Sequence, residues 1–174
     1  MKLADLRDLR FNYDAIGSTE QDTTPPGYHR LDHRVRLGSG DEVFRHAGEA
    51  LMTWEAHRAA GIPVEATDIP LKIGTNSLGR LGVGSVGLPI PCRVVWLVNE
   101  GDRIGFAYGS LDGHPEAGEE ALVVTREPDG IYYTIRAYSR AATWYTRLGG
   151  PVARRAQLLV AQRYAQSLKR LANS

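Results

Sequence analysis

A single cysteine, Cys92, stands in a chain of 174 residues. No internal disulfide is available, so a reducing, cytoplasmic setting is expected. An excess of charge of either sign is equally absent: 21 basic residues face 20 acidic ones, for a net charge of +1. Nucleic-acid binding asks for a concentrated basic surface and an anionic membrane for a polybasic patch, and neither is present. The opening MKLADLRDLRFNYD is charged every few residues and has no apolar signal core. No apolar run approaches bilayer length, so membrane insertion is not expected. Catalytic signatures are scarce too, with no GxSxG elbow and no Walker-type loop. Gly82, Gly84 and Gly87 spell GxGxxG, but Pro89 and Pro91 follow at once and forbid the helix that a dinucleotide site requires. Those glycines read instead as a bent strand or a bulge. His29 and His33, four apart on a strand, would lie ~13 Å from each other, too far to share a metal. No zinc-like spacing occurs elsewhere, and neither a metal nor a cofactor is expected.

What remains has the make-up of an ordinary globular protein, 43% hydrophobic and 24% charged. A chain of this length buries roughly two-thirds of its unfolded surface without metal or disulfide staples. One domain over residues 1–174 is expected, with residues 1–27 an N-terminal extension packed on it. Leu3, Leu6 and Leu9 suggest a short helix over 2–9, and the polar run ending at Pro25 and Pro26 a loop. From Tyr28 to Gly38 the chain alternates, with His29, Leu31, His33, Val35 and Leu37 on one face of a half-buried strand. A helix follows: Ser39 and Glu42 have capping-box spacing, and Val43, Ala47, Ala50, Leu51 and Trp54 repeat at helical intervals up to a stop at Gly61 and Pro63. Residues 62–91 are rich in Gly and Pro, with short strands expected near Val64 and over Leu81 to Leu88. Four strands then follow with short connections: Cys92–Val98, Arg103–Leu111, Glu119–Arg126 and Ile131–Ser139. They read as an antiparallel meander. Residues 141–171 are helical in pattern, with Pro151 starting the last helix and Val152, Ala156, Leu159, Val160, Tyr164, Leu168 and Leu171 as its apolar stripe. CRVVWLV is apolar on both faces, Val94, Trp96 and Val98 on one and Val95 and Leu97 on the other, which calls for extra cover from the N-terminal segment or a second subunit.

Strand, helix, antiparallel strands and a long terminal helix make an α+β fold. This order resembles the helix-grip fold of the START and birch-pollen-allergen superfamily, a curved antiparallel sheet gripping a C-terminal helix, often around an apolar cavity. A filled two-layer sandwich is the competing frame. FNYDAIGST, WEAHRAAG, CRVVWLVNEGDRIGFAYGSLDGHPEAGEEALVV and IRAYSRAATWYTRLGGPVARRAQ, in that order, resemble the domain-of-unknown-function family 1990 over nearly the whole chain. That resemblance implies fold and site, not an agreed activity.

The most informative stretch is YGSLDGHPEAGEE, residues 108–120. Three roles compete for it. It is an ornate turn, built from Asp112-Gly113, Ala117-Gly118 and a stiffening Pro115. Or it is the rim of a binding pocket. Adjacent strand residues point to opposite faces, so Glu119 and Glu120 cannot both point inward, and an inward glutamate would look to Arg136 for a partner. Or it is catalytic, with His114 as acid/base beside a carboxylate and Tyr108 or Ser110 orienting a substrate. Trp54 and His57 share a helical face, Trp54 reading as core and His57 as a boundary residue. Cys92, in an apolar strand, reads as an inert buried thiol.

The function these readings favour is binding of a small apolar or amphipathic molecule between sheet and terminal helix, with Tyr108, Ser110, His114, Glu119, Glu120, Arg136 and Trp54 as candidate ligand-binding residues. An enzyme of cyclase, lyase or hydrolase type on the same frame, with His114 as its catalytic acid/base, is the alternative. A cavity-free interaction protein, a homodimer paired through its sheet, is the third reading.

Overall fold

The computed structural model describes residues 1–83, 86–143 and 150–174, without the side chains of 83, 86, 150–154 and 156. Seven strands form one antiparallel sheet: β1 (His29–Gly38), β2 (Val64–Ala66), β3 (Asn76–Val83), β4 (Val86–Asn99), β5 (Arg103–Ser110), β6 (Glu116–Glu127) and β7 (Gly130–Ala141). Their order across the sheet is β1-β7-β6-β5-β4-β3-β2. The meander from β3 to β7 is continuous, and the first strand returns to pair with the last, His29 opposite Ser139 through Arg34 opposite Thr134. Two helices, α1 (Asp41–Met52) and α2 (Glu55–Ala59), connect β1 to β2, and a 23-residue helix, α3 (Gly150–Ala172), ends the chain.

The sheet's concave face packs α1, α2 and the C-terminal half of α3 around Phe44, Leu51, Trp54, Phe106, Leu122, Val124, Ile135 and Leu168. Period-two alternation sets which side chains enter this core. Leu122 and Val124 of β6 point in, whereas Ala121 and Val123 point out to a smaller cluster with Trp96 and Ala107.

Several local expectations are corrected. Ser39 forms no capping box; Gly40 is the N-cap, at φ 95, and no side chain caps the helix. The first helix does not run on to Gly61. Trp54 adopts a left-handed conformation, φ 64, which ends α1 and starts α2 on a new axis. Gly61 does close α2: its N–H bonds Arg58 O and that of Ile62 bonds His57 O, the paired bonds of a Schellman stop. β3 and β4 pair along their length as a long hairpin rather than as fragments. The prolines are tolerated there because the Pro91 carbonyl accepts from Leu111 N, beyond the end of β5, so its ring nitrogen faces the same side and no ladder bond is lost. Gly82 sits opposite Gly87 in this hairpin; Gly84 lies outside the described residues. Val94 and Trp96 do not share a face, because the register shifts between them. Val94 belongs to the concave core and Trp96 to the outer cluster.

The outer face is covered by the chain's first residues. A 3-10 helix, Leu3–Asp8, sets Leu6 against Leu78 and Leu111. Further along, Tyr13 packs edge-on against Tyr138, and Thr19 receives a hydrogen bond from Trp96 Nε1 at 2.9 Å.

On α3 the buried side chains are Ala161, Tyr164, Ala165, Leu168 and Ala172. Leu159 is 59% exposed, off the expected stripe, and its neighbour Leu158 is exposed too. Val152 and Ala156 of that stripe lie outside the described side chains. Among the described residues no helix is long and apolar enough to cross a membrane.

Candidate functional site

A pocket of about 610 Å³ lies between the concave face and α3, at the end of the sheet that α1 leaves uncovered. Its apolar wall comes from Ile62, Val64, Leu81, Leu88, Ile90 and Val160. Its polar wall is built in two layers.

The deeper layer is aromatic. The turn at Trp54 that separates the helices swings both Trp54 and His57 onto the sheet. The His57 ring lies 4.7 Å from the Tyr164 ring, 5.1 Å from that of Trp54 and 5.8 Å from that of Tyr108. His57 is 3% exposed, not the boundary residue its place near a helix end suggests. Burial pushes its imidazole down to about 3, with the Arg58 charge as a lesser cause, so the ring is neutral. Neither of its nitrogens, nor Trp54 Nε1, has a hydrogen-bond partner among the described residues.

Glu120 enters the same layer from β6, directly across from Tyr108 of β5, whose hydroxyl donates to it. Burial raises the Glu120 carboxyl above the usual range; the Tyr108 bond pulls it down and the nearby Glu116 pushes it up. The hydroxyls of Tyr108, Tyr133 and Tyr164 lie well above their ordinary values, from burial first and the Glu120 charge second. Cys92 borders the pocket as a buried thiol, which burial pushes up, so it is no ready nucleophile.

The second layer is the rim, made by the 108–120 stretch. His114 borders the pocket, but its Nδ1 accepts the Glu116 N–H at 2.9 Å, and its backbone N–H donates to the Leu111 carbonyl. The ring therefore clamps its own turn. No carboxylate among the described residues hydrogen-bonds it, and burial holds it down at about 4. Ser110 is likewise engaged, accepting from Gly118 N–H at 2.9 Å and donating to Asn12 Oδ1 at 2.5 Å. Gln157 of α3 reaches across the rim to the Glu116 carboxylate and to Ser139 Oγ.

The two adjacent glutamates part company as strand geometry demands. Glu119 points to the outer face and is 3% exposed. Its Oε2 accepts from Tyr13 Oη at 2.9 Å and Gly17 N at 2.8 Å, its Oε1 from Thr19 N at 3.0 Å and from the Thr19 hydroxyl. Arg136 partners neither glutamate. It lies on the outer face, where Nε donates to Asp32 at 3.1 Å and Nη1 pairs with Asp22 at 3.1 Å. Of the expected ligand-binding set, Trp54, Tyr108 and Glu120 converge on the deep layer. Ser110 and His114 hold the rim, Glu119 bonds the N-terminal segment, and Arg136 leaves the site. His57 and Tyr164 join it; their signals were the three-residue spacing from Trp54 and the inward stripe of the last helix.

Residues 12–167 match the model of one family, described as Domain of unknown function (DUF1990). The chain belongs to the DUF1990 family. A UPF0548 protein of Deinococcus radiodurans is 30% identical to it, covering 95% of this chain and 89% of that one. A UPF0548 protein of Dictyostelium discoideum is also 30% identical, over 86% of this chain and 80% of its own length. Among solved structures, norcoclaurine synthase from Thalictrum flavum, in complex with a transition-state analogue, is 11% identical with a TM-score of 0.59, covering 86% of this chain and 97% of that one. Major latex-like protein 151 of Panax ginseng is 12% identical with a TM-score of 0.60, over 82% and 95%. At such identities the likeness shows the fold: this DUF1990 chain is a helix-grip protein. Two of the segments that carry the family resemblance, FNYDAIGST and GEE, meet in space through the Glu119 carboxylate.

Proposed function

We propose that this protein binds a small, partly apolar molecule in the pocket between the sheet and α3. The observation that carries the reading is the set of orphaned polar atoms in the pocket wall, Trp54 Nε1 and both nitrogens of His57. A buried donor or acceptor left unmade costs about 1–3 kcal/mol, and folded chains rarely leave three together. A ligand that offers them partners recovers that cost. Apolar walls, aromatic faces and a few convergent polar groups are the usual make-up of a small-molecule site. The fold neighbour solved with a transition-state analogue is in keeping with it. The pocket also speaks against a filled, cavity-free core. A catalytic His114 gains no support from a ring whose Nδ1 is bonded to its own turn.

The test is mass spectrometry of the purified protein, native and after denaturing extraction. A stoichiometric small molecule that is lost on Trp54→Phe or His57→Phe supports the reading. A pocket that takes up no compound from a chemically diverse library, in a folded protein, overturns it.

A further inference from the structure

The pocket holds a carboxylate that no charged group neutralises among the described residues. Glu120 turns to the concave side of β6, where its hydrogen-bond partner is a neutral donor, the Tyr108 hydroxyl. Glu116, four residues earlier on the same side of the strand, adds a second acid to the pocket wall. Arg30 borders the pocket, but its guanidinium is bound by Asp22 and Asp32. Trp54, His57, Tyr108 and Tyr164 line the same pocket as Glu120. Trp54 stacks on Tyr108 with centroids 6.2 Å apart, and the His57 ring lies between them and Tyr164.

A carboxylate beside a set of π faces is the chemistry of an ammonium site. The ring quadrupole attracts the cation, the carboxylate bonds it, and both effects strengthen as water is excluded. An anionic ligand would meet two glutamates. A neutral ligand would leave the Glu120 carboxyl with the Tyr108 hydroxyl as its partner among the described residues, its desolvation relieved by protonation rather than by pairing. The orphaned atoms add a second requirement. Trp54 Nε1 only donates, and a neutral imidazole donates once and accepts once. The ligand must therefore carry a hydrogen-bonding oxygen or nitrogen apart from its cationic group.

We infer, on the reading that this pocket holds a small molecule, that the ligand is an amine. It is bound as ammonium by Glu120 among the Trp54, His57, Tyr108 and Tyr164 rings, with a separate acceptor reaching Trp54 Nε1. Isothermal titration of the full chain with phenylethylamine, phenylethanol and phenylacetate tests this, since the three share a carbon skeleton and differ in charge. The amine is expected to bind at least about tenfold more tightly than the alcohol, with the acid weakest. Glu120→Gln is expected to abolish the amine's advantage over the alcohol, and a circular-dichroism melt of the variant shows that it is folded. Should that variant fail to fold, the order of the three probes on the wild-type protein decides. An alcohol or acid bound as tightly as the amine, or an amine preference that survives Glu120→Gln, overturns the amine assignment and leaves the pocket reading standing. Failure of all three probes to bind at millimolar concentration overturns the amine assignment, whereas the pocket reading falls with an empty result from the diverse library.

Discussion

Glu119 and Glu120 are neighbours with the same chemistry and opposite employment. The pleat sends one to each face, and the environments do the rest: several donors surround Glu119, and one hydroxyl bonds Glu120. Glu119→Ala would strand Tyr13 Oη and the Gly17 and Thr19 amides. Charge-assisted bonds of this kind are worth about 1.5–3 kcal/mol each. Urea unfolding should therefore show a loss of about 3 kcal/mol, a lower bound on the summed bonds because freed donors regain water. His57 gives a pH prediction. The unfolded chain protonates a histidine near pH 6.5, whereas folded His57 resists until about 3. Folded protein binds fewer protons in that window, so this group's contribution to stability falls as pH drops through it. His57→Phe removes the effect. The variant's stability advantage over wild type, measured by urea unfolding, should grow from about pH 7 to about pH 5. An advantage that stays constant would mean that His57 is solvated. His114, held at about 4 by burial, contributes to the same acid-side loss in both proteins and cancels in the comparison.

The stretch from Tyr13 to Thr19 is held to the sheet in part by one buried carboxylate and by close contact at a glycine. A Cβ on Gly109 would lie 2.0 Å from Tyr13 Oη. Gly109→Ala should thus push the tyrosine off Glu119. In hydrogen exchange, the Gly17 and Thr19 amides should lose protection while those of β6 and β7 keep theirs. Protection unchanged at Gly17 would show that the segment is anchored elsewhere. The elements whose period was unbroken were legible in the sequence: β1, β5, β6 and β7 lie within a few residues of the expected ranges. What was not legible came from single-residue departures. The left-handed Trp54 split a helix whose apolar spacing ran straight through it. The shift between Val94 and Trp96 reversed a face. Strand register decided that Arg136 sits opposite Asp32 rather than beside a glutamate, and no local pattern encodes a pairing between β1 and β7. The stretch at 108–120 was legible as a turn, a rim or a catalytic loop, but His114's bond to the backbone two residues on is a tertiary detail of a tight turn.

For the molecule as a whole, the sheet serves two covers. α3 packs its C-terminal half on the concave face and lines the pocket with Gln157, Leu158, Val160 and Tyr164, and the N-terminal segment lies over the outer face. Filling the pocket should be tolerated. Val160→Trp, projecting from α3 into the pocket, is expected to lower affinity for any pocket ligand by at least about tenfold. Its melting temperature should stay within a few degrees of wild type, or rise, because a void is being packed. A variant that melted much earlier would indicate that the space is already occupied by the protein's own side chains.

The two covers each have an indole beneath them. Trp54 stands in the pocket wall with its Nε1 unbonded, and Trp96 is under the N-terminal segment with its Nε1 bonded to Thr19. Two of the chain's three tryptophans thus serve as optical reporters, one for each side of the sheet, once Trp144, outside the described residues, is replaced by Phe. A ligand entering the pocket would shift the emission of Trp54 and leave that of Trp96 nearly still, whereas release of the N-terminal segment would do the reverse. Read through Trp54→Phe and Trp96→Phe, a single fluorescence titration distinguishes the filling of the pocket from the loosening of the chain's first turns.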